Sequence, residues 1–192
     1  VDLGAPGAAQ VKKQLLLRAA RLYETSLQDP ARAELLYLAS GELDPADRSL
    51  MTDVVRVRRA QGKWNDLVEM LLFQADSAPT PKERADALAE IASIYVDHLH
   101  EPEQALFPYA QALCADPSRE KVVHAIEKIA GSKQEAWGEV IGICNEAIAL
   151  PELPAETRIA LLERVAGWYS SRAQRPDLAV ACYQAALGID AH

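Results

Sequence analysis

The sequence is poor in the residues that build metal, redox and phosphate sites. It has three cysteines and four histidines in 192 residues, and Cys114, Cys144 and Cys182 show neither metal-site nor redox-motif spacing. Each falls inside an apolar helical pattern, the usual setting of a buried reduced thiol. A Gly-rich phosphate loop is lacking, since Gly4-Ala5-Pro6-Gly7 reads as a leader rather than a strand-to-helix turn. No run approaches the roughly 18 apolar residues of a membrane-spanning helix, and no basic-plus-apolar leader precedes the first helical pattern. The expectation is a cytoplasmic protein without membrane association; the chain begins at Val, which leaves room for an upstream signal already removed. Positive charge is also scarce. The 20 Lys and Arg against 28 Asp and Glu give a net charge of −8, which disfavours nucleic acid phosphates and anionic lipid. The deficit is uneven, with 10 basic and 8 acidic residues up to position 64 and 10 and 20 beyond it.

What is present in quantity is apolar residue, 49% of the chain against 25% charged, enough for a real core. Prolines and acidic turn residues cut this material at regular intervals, which points to repeats. Three segments align position by position, starting at Leu16, Leu88 and Leu162. Tyr23, Tyr95 and Tyr169 correspond, as do Pro30, Pro102 and Pro176, then Ala33, Ala105 and Ala179, then Tyr37, Tyr109 and Tyr183. Between them lie two copies of a second flavour, marked by Trp64 and Trp137.

Each copy carries apolar residues at i, i+3, i+4 and i+7, one face of a helix. The sets are Leu16, Ala19, Ala20 and Tyr23; Leu50, Asp53, Val54 and Val57; Leu88, Ile91, Ala92 and Tyr95; Val122, Ala125, Ile126 and Ile129; and Leu162, Val165, Ala166 and Tyr169. A second helix follows in each copy, with Ala33, Tyr37 and Ser40; Val68, Leu72 and Ala75; Ala105, Tyr109 and Ala112; Val140, Cys144 and Ala147; and Ala179, Tyr183 and Ala186. Small residues facing Tyr let neighbouring helices approach closely. Pro30, Pro102 and Pro176 suit the first turn of a helix, where a missing N–H is harmless, and Asp44-Pro45 and Asp116-Pro117 suit helix ends. Asp53 and Ser40 depart from the apolar pattern.

In this alternation of small and large residues, in its paired helices and in repeat starts that advance by 34, 38, 34 and 40 residues, the chain resembles the tetratricopeptide repeat family, with about five degenerate copies over residues 12–190. The resemblance implies an all-α fold, a right-handed superhelical solenoid of antiparallel helix pairs with about ten helices. Residues 1–10 are expected to be a flexible leader and 11–192 a single repeat domain, with copies near 13–46, 47–81, 85–118, 119–154 and 159–192.

The resemblance also implies a concave face lined by one side of each first helix. In the first two copies those positions are Gln14, Leu17, Arg21, Glu24 and Thr25, then Arg48, Met51, Val55, Arg58 and Arg59. In the next two they include Asp86, Ala89, Ser93, Val96, Glu120, Val123, Glu127 and Ala130, which are acidic or small. Guanidinium groups pair bidentately with carboxylates, so Arg21, Arg48, Met51, Val55, Arg58 and Arg59 form the candidate partner-binding set, suited to an acidic protein or peptide segment. The Lys and Asn clamp with which some family members hold acidic chain termini is missing at the matching positions.

No catalytic residues, cofactor or metal are expected. His98, His100 and Glu101 share one turn, but they align with Ser26, Gln28 and Asp29 and with Arg172, Gln174 and Arg175, and a lone His-x-His does not meet the ligand count of a tetrahedral site. His124 has no Cys or Ser positioned to make a nucleophile pair. Trp64, Trp137 and Trp168 recur at or beside repeat positions, as packing anchors do. The functional expectation is a non-enzymatic scaffold or adaptor. A self-association segment, or the regulatory arm of a larger protein, is the alternative, because the last helical pattern, with Val180, Tyr183 and Leu187, has no polar capping helix after it.

Overall fold

A computed structural model describes residues 6–45, 47 and 49–189. Every regular element among them is helical: α1 (Pro6–Thr25), α2 (Pro30–Leu43), α3 (Ser49–Gln61), α4 (Trp64–Asp76), α5 (Pro81–Asp97), a 3-10 turn (Pro102–Ala105), α6 (Leu106–Ala115), α7 (Glu120–Ala130), α8 (Gln134–Ala149), α9 (Ala155–Ser171) and α10 (Pro176–Leu187). The fold is all-α, built of consecutive helix pairs. None of the described helices is long and apolar enough to cross a membrane.

The chain divides into two compact units, Val1–Met70 and Leu71–His192, where the sequence reading has one domain. In the first unit α1 packs on α2 and α2 on α3. Its core is Ala20, Ala33, Tyr37, Val54 and Val57, with Leu17, Tyr23, Leu36 and Met70 packed around it. In the second unit α6 packs against α5, α7 and α8, and the series continues through α8 on α9 and α9 on α10. Ala residues let backbones approach here: Ala85, Ala92, Ala105, Ala110 and Ala112 are all buried.

Helical periodicity selects which residues turn inward. No residue of the five first-helix sets is exposed; each is buried or half-buried. The second-helix sets are buried or half-buried except at Leu72 and Tyr183, which are exposed. In α4 the inward face is Leu67, Val68, Leu71 and Ala75, so Leu71 takes the place expected of Leu72. Spacings of i, i+4 and i+8 from Leu67 put those side chains on one stripe and turn Leu72 and Phe73 away from it.

The segment between first and second helix is the same device three times. Gln28, His100 and Gln174, at equivalent repeat positions, adopt positive φ values of 50°, 59° and 54°. Behind them the N–H groups of Leu27, Leu99 and Ala173 donate to the carbonyls of Leu22, Ile94 and Trp168, and those of Asp29, Glu101 and Arg175 donate at 2.8 Å to the carbonyls of Tyr23, Tyr95 and Tyr169. These bonds satisfy carbonyls that a helix end leaves orphaned. Pro30, Pro102 and Pro176 then open the next helix.

Two sequence expectations change. The leader expected over residues 1–10 is helical from Pro6 onward, because a proline suits the first helical position; residues 1–5 lie outside the described residues. The second helix of the third copy opens with a 3-10 turn over Pro102–Ala105 rather than an α turn. Pro108 has no N–H to give the Gln104 carbonyl, and its ring would crowd that carbonyl, so the α pattern starts only at Leu106.

Candidate functional site

The residues expected to line a basic groove separate into distinct environments. Arg58 is largely withdrawn from solvent: its Nε donates to Glu34 Oε1 at 2.7 Å and its Nη1 to the Asp66 carbonyl at 3.0 Å. Glu34, only 5% exposed, also accepts Lys63 Nζ at 2.7 Å and Gln61 Nε2 at 2.9 Å. Burial pushes the Glu34 carboxyl up, but the hydrogen bonds from Lys63, Arg58 and Gln61 outweigh it and hold the group down at about 2. Arg58 is therefore part of the packing of α2 against α3. The remaining candidates stand differently: Arg21 and Arg59 are exposed, Met51 is exposed and Val55 is half-buried. Arg48 lies outside the described residues.

Acidic groups around these positions compensate much of the expected positive field. Arg56 pairs with Glu24 and, at 2.6 Å, with Asp53, and Tyr37 Oη donates to Glu24 at 2.9 Å. Asp53 thus occupies its normally apolar position by lying half-buried against Arg56; burial pushes its carboxyl up, and the charge of Arg21 opposes that. Ser40 is fully buried and directs its hydroxyl toward the Lys13 carbonyl at 3.5 Å. The Lys13 ammonium itself lies between Asp44 and Asp47 at 2.7 and 2.6 Å.

Positions transferred to the later copies are partly interior. Val123 and Ala130 are buried, so they line no surface, and Glu127 accepts a hydrogen bond from Trp168 Nε1 at 3.3 Å. Trp137 and Trp168 are buried with ring centroids 5.4 Å apart and tilted by 51°. Trp137 Nε1 donates to the Gly131 carbonyl at 3.0 Å. Both act as packing anchors. His98 and His100 are exposed on the repeated turn, and no set of three or more potential metal ligands converges among the described residues.

A surface that the repeat pattern did not single out stands on the first helix pair. Val11, Leu15 and Leu22 run along α1, and Leu35 and Leu38 along α2, all exposed, with Leu15, Leu22 and Leu35 at 58%, 59% and 66%. Within α1 the spacing of i, i+4 and i+11 puts Val11, Leu15 and Leu22 on one stripe. The signal is in the sequence: Leu15-Leu16-Leu17 and Leu35-Leu36-Tyr37-Leu38 are too apolar for one buried face, and the surplus side chains point outward. Around the stripe α1 exposes three basic residues, Lys12, Arg18 and Arg21, while Lys13 is turned inward onto Asp44 and Asp47. A second exposed apolar set, Val180, Tyr183 and Leu187, lies on α10.

The second unit contains a cavity of about 650 Å³ bordered by the turns before α5 and after α8, with Arg84, Gln111, Cys114, Ile143 and Leu153 among its walls. Cys114 on α6 stands 3.9 Å, sulfur to sulfur, from Cys144 on α8.

Among solved structures, the chain is similar to a thermophilic TPR protein of Thermus thermophilus, at 22% identity over 93% of this chain and 91% of that one, with a TM-score of 0.34. No family model matches the chain, and no curated protein matches it.

Proposed function

We propose that this protein is a non-enzymatic interaction scaffold that takes an amphipathic, acidic segment of a partner protein on the exposed face of α1. The observation that carries this reading is the exposed stripe of Val11, Leu15 and Leu22 on α1. Contiguous apolar surface is costly to leave in water and marks places where another protein docks. A partner helix lays anchors spaced at i, i+3, i+4 and i+7 into such a surface, and the exposed Lys12, Arg18 and Arg21 favour carboxylates at its edges. Arg21, exposed on α1, joins this surface.

Selection of a random peptide display library on the purified chain tests the reading. Enrichment of acidic amphipathic peptides whose binding is lost in Leu15→Asp and Leu22→Asp, with helical content and melting unchanged, is the expected result. Absence of any enriched peptide, or binding indifferent to both substitutions, overturns it.

A second reading, self-association through α10, is favoured by Leu187, which is 87% exposed, and by its neighbours Val180 and Tyr183. Sedimentation equilibrium separates the two: concentration-dependent dimers abolished by Leu187→Asp support self-association, and a strict monomer dismisses it.

A further inference from the structure

The three cysteines occupy unequal environments. Cys144 is wholly buried on α8, Cys182 is half-buried on α10, and Cys114 on α6 is half-buried and contributes to the wall of the cavity of about 650 Å³. The Cys114 sulfur lies 3.9 Å from that of Cys144, and its thiol also faces the Ile143 carbonyl at 4.0 Å. The Arg84 guanidinium belongs to the same cavity wall. A thiol that borders a cavity, an arginine on the same wall and a second thiol 3.9 Å away are the parts of a peroxide-responsive pair.

We propose that Cys114 and Cys144 form an oxidation site in which a hydroperoxide entering the cavity oxidises Cys114 and the buried Cys144 resolves it to an intramolecular disulfide. The Cys114 thiolate attacks one peroxide oxygen; the O–O bond breaks, an S–O bond forms, and the leaving hydroxide or alkoxide takes a proton to become water or alcohol. Cys114 is now a sulfenic acid. The Cys144 sulfur then attacks the Cys114 sulfur and the S–O bond breaks, while the Cys144 proton leaves with the hydroxide as a second product, water. Two thiols lose two electrons and two protons, and the peroxide gains them.

The geometry orders the two roles. Cys114 meets the oxidant because it borders the cavity, and Cys144, with no exposure, meets only Cys114. Hydrogen bonding with Cys144 lowers the Cys114 thiol from its ordinary value; burial opposes this and the Arg84 charge adds to it. The Cys144 thiol is pushed up by Cys114 and by burial, and the Cys182 thiol is pushed up by burial. Bond formation needs the sulfurs to close from 3.9 Å to about 2.05 Å, between two helices that already pack together. The product staples α6 to α8.

Graded hydrogen peroxide applied to the full chain, followed by dimedone trapping and non-reducing peptide mass mapping, tests the assignment. Wild type is expected to lose two hydrogens and yield a linked peptide joining Cys114 to Cys144, reversed by dithiothreitol, with Cys182 still a thiol. Cys114 reacts about 10-fold faster than Cys182, Cys144→Ala accumulates a dimedone adduct at Cys114, and Arg84→Gln slows the reaction about 2-fold. The wild-type map stands independently of how the variants fold. Oxidation of Cys182 as fast as Cys114, linkage through Cys182, or a Cys114 that stays reduced overturns the proposal.

Discussion

Arg58 and Glu34 are bound to each other across α2 and α3 at 2.7 Å, with the carboxylate at 5% exposure and shared among three donors. A buried charge that loses its partner costs more than the pair contributes, commonly several kcal/mol. Arg58→Met, which keeps an unbranched stem and removes the guanidinium, is expected to destabilise the chain by about 2 kcal/mol, softened because Lys63 and Gln61 remain on Glu34. Glu34→Gln combined with Arg58→Met costs less than the two singles added, by about 1 kcal/mol or more. Urea unfolding of the four proteins measures the cycle; strict additivity would remove the coupling. Charge reversal at Arg58 is for the same reason a probe of folding and not of binding.

Acid sensitivity follows from two depressed carboxyls. Glu34 falls from 4.5 to about 2 and Asp47 from 3.8 to about 2; hydrogen bonds from Lys13 and Ser49 lower Asp47, and those to Glu34 overcome its burial. A group whose folded value is depressed contributes stability that is complete above its unfolded value and lost as pH falls through the folded one. The loss should therefore run from about pH 4.5 down toward 2. For Glu34 the shift corresponds to about 3 kcal/mol. Unfolding midpoints for wild type and Glu34→Gln should converge as pH drops across this window; parallel profiles would refute the assignment.

His100 has φ of 59° on the turn where Gln28 and Gln174 hold the same left-handed conformation. A side chain there brings Cβ against the carbonyl oxygen at a cost of roughly 1–2 kcal/mol, which glycine avoids while adding some unfolded-state entropy. His100→Gly is expected to raise stability by about 0.5–1 kcal/mol, and Gln28→Gly and Gln174→Gly to do likewise. Thermal melts read this directly, and a lowered melting point in all three would show that the side chains hold the turn.

Much of the fold is legible because its signals are local. Helical spacing picks out Leu88, Ile91 and Ala92 as core, and the aligned Pro30, Pro102 and Pro176 mark helix starts, as the structure has them. The misses come from effects that a one-face pattern does not encode. Pro108 reshapes the turn before α6 through a carbonyl four residues back, and in α4 Leu71 displaces Leu72 from the core when several apolar residues adjoin. The candidate site was less legible. An arginine's spacing gives its side of a helix but not its neighbours, and Glu34, distant in sequence, holds Arg58. The apolar stripe is written in Leu15-Leu16-Leu17, where three adjacent leucines exceed what one buried helix face holds.

Trp137 and Trp168 share a packed contact but differ in what their indole N–H groups reach. Trp137 donates at 3.0 Å to the carbonyl of Gly131, the positive-φ residue that ends α7, whereas Trp168 meets the Glu127 carboxylate at a longer 3.3 Å. Phenylalanine at position 137 removes volume from a site with 1% exposure and leaves a helix-terminal carbonyl without its donor. At position 168 the same change removes similar volume, but half-buried Glu127 keeps some access to water. Trp137→Phe should therefore cost about 2–3 kcal/mol and Trp168→Phe about 1 kcal/mol less. Denaturation followed by far-ultraviolet circular dichroism, which does not depend on the indoles removed, gives the ordering; an equal or reversed ranking would mean that the Trp137 hydrogen bond contributes little to closing the turn after α7.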